Sequence, residues 1–489
     1  MSFSLTLQHR ILERAVDTES AFLRLYGASA TAFWLDSEHV EPGLDRFSFL
    51  GDTTGPLAEV VRYRVGSGSV TVTAAGGRSR TVPGTILDYL DTELRTRSVP
   101  PVEGLPFDFC GGYVGYLGYE VKADCGGAAV HRAPAPDAQW LFADRLVVVD
   151  HLAGRTHLLA LTGSGTAAAR ASAAWLRTTA EILDAVPTWT DPPPITVDLD
   201  GAHLAEHLVR GRAQYLRDIA ACRRALQAGE SYEITLTDQL TVPATTGGLD
   251  VYRTLRRANP APYSAYLRFG DLEIACSSPE RFLKVDRHRG VETKPIKGTA
   301  RRDPDPEVDD RLRRALTEDP KTRAENVMIV DLLRNDLGRV CETGSVRVHR
   351  LLATESYSTV HQLVSTVRGV LRADIGVVDC LRACFPGGSM TGAPKLRTME
   401  IIDALETRAR GVYSGTIGFL GLGGTADLNI VIRTAVRYRG EWQIGAGGAI
   451  VLDSVDQAEY DEMLLKAGAV FRALTPDPAL PAAQVPAAG

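Results

Sequence analysis

Lys294-Pro295-Ile296-Lys297-Gly298-Thr299 is the stretch on which the reading of this 489-residue chain turns. Pro295 fixes a backbone torsion and Gly298 opens conformations closed to other residues, so a short constrained turn would set the direction of Lys297. Lysines are usually solvated. One that acts as a nucleophile needs a lowered pKa, from desolvation or a neighbouring cation. Alone, Lys297 fits either description. Glu280, upstream in Ser277-Ser278-Pro279-Glu280, is an equally ambiguous single carboxylate.

Downstream, the pattern predicts a helix over 319–338. Asp319-Pro320 opens it, Val327, Val330, Leu333 and Leu337 recur at helical spacing, and Gly338 closes it. Glu325 lies in this helix, where a surface charge is the ordinary reading. A last helix is predicted from about Gln457 to Leu474. It carries Glu459, Glu462 and Lys466 at offsets i, i+3 and i+7, on one face. A solvated, ion-paired face explains that spacing, and so does a hard-cation site, since Mg²⁺ takes oxygen ligands. Two glycine-rich runs complete the set. Phe385 to Lys395 leads into a helix from about Leu396 to Glu406, whose first N–H groups could hold an anion. Its spacing is not that of a P-loop. Gly445-Ala446-Gly447-Gly448 fits either a close backbone approach to a ligand or a tight bend in a sheet.

Strands are predicted over 143–150 and 232–242, and helices over 165–185 and 213–228. Val186 to Pro194 holds four prolines in nine residues, which stops helix and central strand alike and suggests a lobe boundary, with a long surface loop inside one lobe as the alternative. The expected regions are 1–190, 205–474 and a Pro/Ala-rich tail, 475–489, predicted to be disordered. Net charge is −6, which points away from nucleic acid and anionic membrane as partners. No apolar run of 18 residues predicts a membrane helix, and no secretory leader pattern follows Met1. The seven cysteines are odd in number and irregularly spaced, as expected of reduced thiols in a cytoplasmic protein.

These stretches together resemble component I of the aminodeoxychorismate synthases, within the superfamily of anthranilate, isochorismate and salicylate synthases. The matching residues are Ser277–Arg281, Lys294–Thr299, Arg323–Asn326, Asp331–Asp336, Gly388–Lys395, Tyr413–Gly415 and Gly445–Ser454. They cover about 210–474 in the expected order. A weaker match runs through Arg46–Gly51, Pro106-Phe107 and Gly111–Tyr116. The resemblance implies an α+β, two-lobed chorismate-binding fold, with large antiparallel sheets in a central sandwich and helices outside.

It also implies roles. Chorismate would bind with its ring carboxylate on Mg²⁺, held directly by Glu325 and Glu462 and through water by Glu459. Tyr413, Arg433, Gly447 and Lys466 resemble the residues that bind the substrate's carboxylates; Thr299 and Ser389 resemble lining residues, and His361 the ring-facing histidine. Glu280 takes the position of the general acid that protonates the leaving C4 hydroxyl, which requires a raised pKa. Anthranilate synthases carry Ala where Lys297 stands; in aminodeoxychorismate synthases a lysine there attacks ring C2 before ammonia adds at C4. Water-adding relatives have a lysine base where Glu233 stands here, which argues against isochorismate or salicylate formation. No cysteine has the context of a glutaminase nucleophile, so ammonia is expected from a separate glutaminase subunit. Asp36-Ser37 and Arg46-Phe47-Ser48 match the region that binds tryptophan in relatives, for feedback or as a structural site. Anthranilate or 2-amino-2-deoxyisochorismate synthesis is the rival of the same class. A non-catalytic chorismate- or tryptophan-binding regulator is the rival of another, disfavoured by the presence of Glu280, Lys297, Glu325, Glu462 and Lys466 together.

Overall fold

The computed structural model describes residues 3–37, 46–100, 104–190, 201–356 and 360–474, with 201–203 as backbone only. The predicted tail 475–489 and the Asp191–Pro194 end of the proline run lie outside the described residues.

Two large antiparallel sheets form the centre. The 12-stranded sheet starts at Ile296–Arg301, passes through Val360–Val370, Gly290–Lys294, Arg281–Val285, Ala426–Asn429 and Thr416–Gly421, and continues into Gly112–Leu117, Ala138–Ala143 and Glu59–Tyr63. The 11-stranded sheet runs from Thr6–Leu12 through Arg145–Asp150, Phe47–Asp52 and Thr31–Asp36 to Tyr263–Phe269. It continues through Leu272–Ser278, Thr434–Tyr438, Glu441–Ile450 and Glu233–Pro243 to Gly392–Ala393. Their inner faces meet in a core that includes Phe33, Phe49, Phe109, Tyr116, Ile274 and Phe419. The rings of Phe109 and Phe419 stack at 4.4 Å, an offset geometry that adds to plain area burial.

Helices cover both outer faces. Thr166–Asp184, Gly211–Gln227 and Asp456–Phe471 bury their apolar sides on the 11-stranded sheet. Ile86–Thr96, Pro320–Gly338 and Val377–Cys384 do so on the other. The expected sandwich with outer helices is therefore present. Helix Pro320–Gly338 begins where the sequence indicates: Asp319 accepts from the Thr322 N–H at 2.7 Å, with Pro320 in the first turn.

The proline-rich boundary does not divide the molecule into two spatial lobes. Gly112–Leu117 pairs with Thr416–Gly421, and Thr31–Asp36 with Tyr263–Phe269, so both sheets pass without a break from the first region into the second. Separating the halves would expose two full strand edges, whose unpaired N–H and C=O groups have no other partner.

Candidate active-site cleft

The two sheets come together at one margin. Ile296–Arg301 is an edge strand of the 12-stranded sheet, while Glu233–Pro243 lies next to the edge of the other. The Lys297 ammonium crosses this seam and donates to Glu233 Oε1 at 2.5 Å. Both side chains are buried, and Glu233 Oε2 has no hydrogen-bond partner among the described residues. Burial by itself would lower the Lys297 pKa, but Glu233, Glu325 and Glu280 outweigh it and raise the value above the ordinary one. This corrects the expectation of a lowered pKa: three carboxylates, not a neighbouring cation, surround the amine.

Glu280 follows the strand Leu272–Ser278, tied by Ile430 N–H to its own carbonyl at 3.0 Å. Burial pushes its carboxyl up to about 7, against the opposing pull of the Ser389 hydroxyl, Lys297 and Lys466. A carboxyl raised this far can carry a proton near neutrality, as an acid catalyst must. Ser389 is positioned by its own carbonyl, which accepts from Thr235 Oγ1 at 3.0 Å. The loop holding Ser389 closes against the Glu233 backbone, where Gly392 has φ +146° and a Cβ would overlap the Glu233 carbonyl oxygen.

Glu325 and Glu459 face each other across the ammonium of Lys321, which pairs with Glu459 and stands 3.7 Å from Glu325. Burial raises Glu325 to about 7, offset by Lys297 and Lys321. Glu462 lies at the mouth of the cleft, half exposed and paired with Lys466 at 2.8 Å. Burial would raise its pKa, but Lys466, Lys321 and Lys297 hold it below the ordinary value. Lys466 also donates to the Gly447 carbonyl at 3.0 Å.

Among the described residues no group of three His, Cys, Asp or Glu side chains is placed to hold a metal ion. The carboxylates still fit a hard cation. Glu459 Oε2 is buried without a partner, and the Lys321 ammonium already stands between Glu459 and Glu325. A pair of carboxylates is a sufficient protein share for Mg²⁺, which keeps waters and substrate oxygens.

Gly445–Gly448 lies in the straight strand Glu441–Ile450, so it is not a bend. A Cβ at Gly445 would collide with the Tyr413 ring, and one at Gly447 with the Leu236 carbonyl; one at Gly448 would stand 3.4 Å from Glu459 Oε2. Arg433 is half-buried, its surroundings lower its pKa, and it has φ +49°. Its guanidinium has one hydrogen-bond partner among the described residues, Asn259 Oδ1 at 3.4 Å, and no carboxylate there pairs with it. Such a desolvated guanidinium is a ready receptor for a carboxylate.

Thr299 is exposed, two residues beyond Lys297. His361 lies on the strand paired with Ile296–Arg301, opposite Ala300. Its ring nitrogens engage Ser356 Oγ at 2.7 Å and Asp309 at 3.0 Å, so it is held between the strand before it and helix Pro306–Glu318 rather than by cleft residues. Lys321 was absent from the sequence reading although it lies four residues before Glu325, one helical turn away.

A second cavity, of about 430 Å³, lies between the middles of the two sheets. Ser37, Arg46 and Phe47 line it, with Tyr263 and Asp427 opposite. Ser48 does not line it but stands behind, donating to Asp36 at 3.1 Å, accepting the Ser37 N–H at 3.0 Å and bonded to His151 at 2.8 Å.

The paired sheets and this cleft define a protein with a site for a small, multiply charged molecule. Residues 54–472 match the family described as chorismate binding enzyme, and the chain belongs to that family. It is 48% identical to "Aminodeoxychorismate synthase" of Streptomyces pristinaespiralis over 94% of its own length, but spans only 64% of that relative. "Aminodeoxychorismate synthase component 1" of Klebsiella aerogenes is 35% identical, with 91% of this chain and 93% of that protein aligned. Among solved structures, anthranilate synthase component I from Streptococcus pneumoniae superposes with a TM-score of 0.71 at 28% identity, over 94% of this chain and 99% of that one.

Proposed function

We propose that this chain is the synthase part of an aminodeoxychorismate synthase, converting chorismate and ammonia to 4-amino-4-deoxychorismate on the route to p-aminobenzoate. The observation that carries this reading is Lys297, buried in the cleft beside Glu280. Arg433, Tyr413 and Lys466 bind the substrate's carboxylates, with the Gly447 backbone close against them. Glu325 and Glu462, with Glu459 supporting them, would hold Mg²⁺, which when bound would supply positive charge to a carboxylate of the substrate. Glu280 donates its proton to the C4 hydroxyl, so that it leaves as water. The Lys297 amine forms a bond to C2 as the ring double bonds shift. Ammonia then bonds to C4, the double bonds shift back, and the C2–N bond breaks with its electron pair on Lys297. Ammonia comes from a glutaminase outside these 489 residues. The relatives named aminodeoxychorismate synthase that are longer than this chain are consistent with such an arrangement.

The cavity between the sheets is the candidate tryptophan site, through Ser37, Arg46 and Phe47. Replacing Lys297 tests the main reading. Lys297→Ala should lose C4 amination by at least about 10³-fold, with slow C2 amination as the residual reaction. A variant that keeps forming the 4-amino product at the unmutated rate contradicts the covalent role.

A further inference from the structure

We infer that Glu233 is the proton acceptor for Lys297: its Oε1 takes a proton from the ammonium before the amine attacks, and returns it after the lysine leaves. The inference rests on the reading above and adds to it a catalytic residue in contact with the reacting nitrogen.

A protonated ammonium has no lone pair and cannot attack carbon. The Lys297 nitrogen therefore has to lose a proton inside a closed site. Glu280 is the wrong acceptor, because it must arrive protonated to discharge the C4 hydroxyl. Glu325 faces Lys321 and Glu459. Among the described residues Glu233 alone makes a direct hydrogen bond to Nζ, at 2.5 Å, which is proton-transfer distance. Its second oxygen, Oε2, is buried and receives no hydrogen bond among the described residues. Its backbone is also fixed: Glu233 pairs with Ala393, and the Ser231 hydroxyl donates to its carbonyl at 2.9 Å.

The proton count closes. Ammonium and carboxylate become amine and carboxylic acid. The amine's lone pair forms the N–C2 bond, leaving a secondary ammonium. When ammonia displaces it, the lysine departs as a neutral amine and recovers its proton from Glu233. Glu280 separately gives its proton to the departing hydroxyl and regains one from the nitrogen newly bound at C4. No other reactant is needed. The arrangement also separates two tasks that one carboxyl could not perform at the same pH: Glu280 gives a proton to oxygen, and Glu233 holds one for nitrogen.

The test follows the covalent step, with chorismate and Mg²⁺ but no ammonia, by mass spectrometry of the peptide carrying Lys297. The unmutated protein should form the adduct within one turnover. If it forms neither the adduct nor, with ammonium, the 4-amino product, the proposed function fails, and Glu233 with it. If it forms both, Glu233→Gln should slow adduct formation at pH 7 by about 10²–10⁴-fold. The Gln variant's rate should also climb with pH, as solvent takes the proton instead. Glu233→Ala should be similarly slow and be restored at least tenfold by added formate, which can enter the space left by the side chain. A Gln variant with the unmutated rate and pH profile, or an Ala variant that formate does not restore, overturns the inference.

Discussion

The cleft at the sheet margin and the cavity between the sheet centres are both lined with charge, yet they treat it oppositely. In the cavity each charged group already has its protein partner. Arg46 holds Asp150 through two bonds of 2.7 and 2.8 Å, Asp36 is held by Arg256 at 2.8 Å and Tyr252 at 2.9 Å, and Asp427 accepts from Tyr263 at 2.9 Å. In the cleft the pairing is incomplete. Among the described residues the Arg433 guanidinium has one long bond to an amide, and Glu233 Oε2 and Glu459 Oε2 have none. Buried carboxylate oxygens without partners are costly, and the cleft brings two of them beside Lys297 and Lys321. The cavity's charges are closed on one another across the junction of the two regions; those of the cleft are only partly paired among the described residues.

Substitutions can break this contrast. Arg433→Ala should give the largest effect, a fall in kcat/KM for chorismate of about 10²–10⁴-fold from loss of a desolvated charge-assisted contact, with little change in melting. Steady-state kinetics beside a thermal scan checks both halves. Glu325→Gln and Glu462→Gln should each shift the Mg²⁺ activation curve to higher concentration by about 10- to 100-fold, without comparable loss of stability. An unmutated Mg²⁺ response in either variant removes that residue from the ligand set. A smaller effect is expected from pH. The acid form of Glu280 is needed, and its pKa is pushed up to about 7, so kcat should hold below that value and decline above it. Glu280→Gln should be slow and lack this limb. The smallest catalytic effect belongs to the cavity. Ser48→Ala removes hydrogen bonds from buried Asp36 and His151 and should cost about 1–3 kcal/mol of stability, while kcat/KM stays within about twofold. If Ser48→Ala instead abolished turnover at unchanged stability, the contrast between the two sites would collapse.

The sequence made the local elements plain and the assembly obscure. Asp319-Pro320 and the spacing of Val330, Leu333 and Leu337 mark the helix Pro320–Gly338 within a residue of its ends. Strand Glu233–Pro243 and helix Thr166–Asp184 were similarly readable. What no local pattern contains is the pairing of Gly112–Leu117 with Thr416–Gly421, about three hundred residues apart, and so a proline-rich linker passed for a boundary between lobes. The site followed the same rule. Glu459, Glu462 and Lys466 share a face by helical period alone, but in the fold Glu459 points inward and Glu462 outward to Lys466. Lys297 and Glu233 are 64 residues apart on different sheets, so neither predicts the other. His361 was assigned by resemblance alone; its partners Ser356 and Asp309 are legible only in the fold.

The central claim is C4 amination. The most direct measurement incubates the unmutated protein with chorismate, Mg²⁺ and ¹⁵N-ammonium and locates the label in the product by mass spectrometry and NMR. The account predicts 4-amino-4-deoxychorismate with the label at C4. Label at C2, as anthranilate or 2-amino-2-deoxyisochorismate, would contradict it.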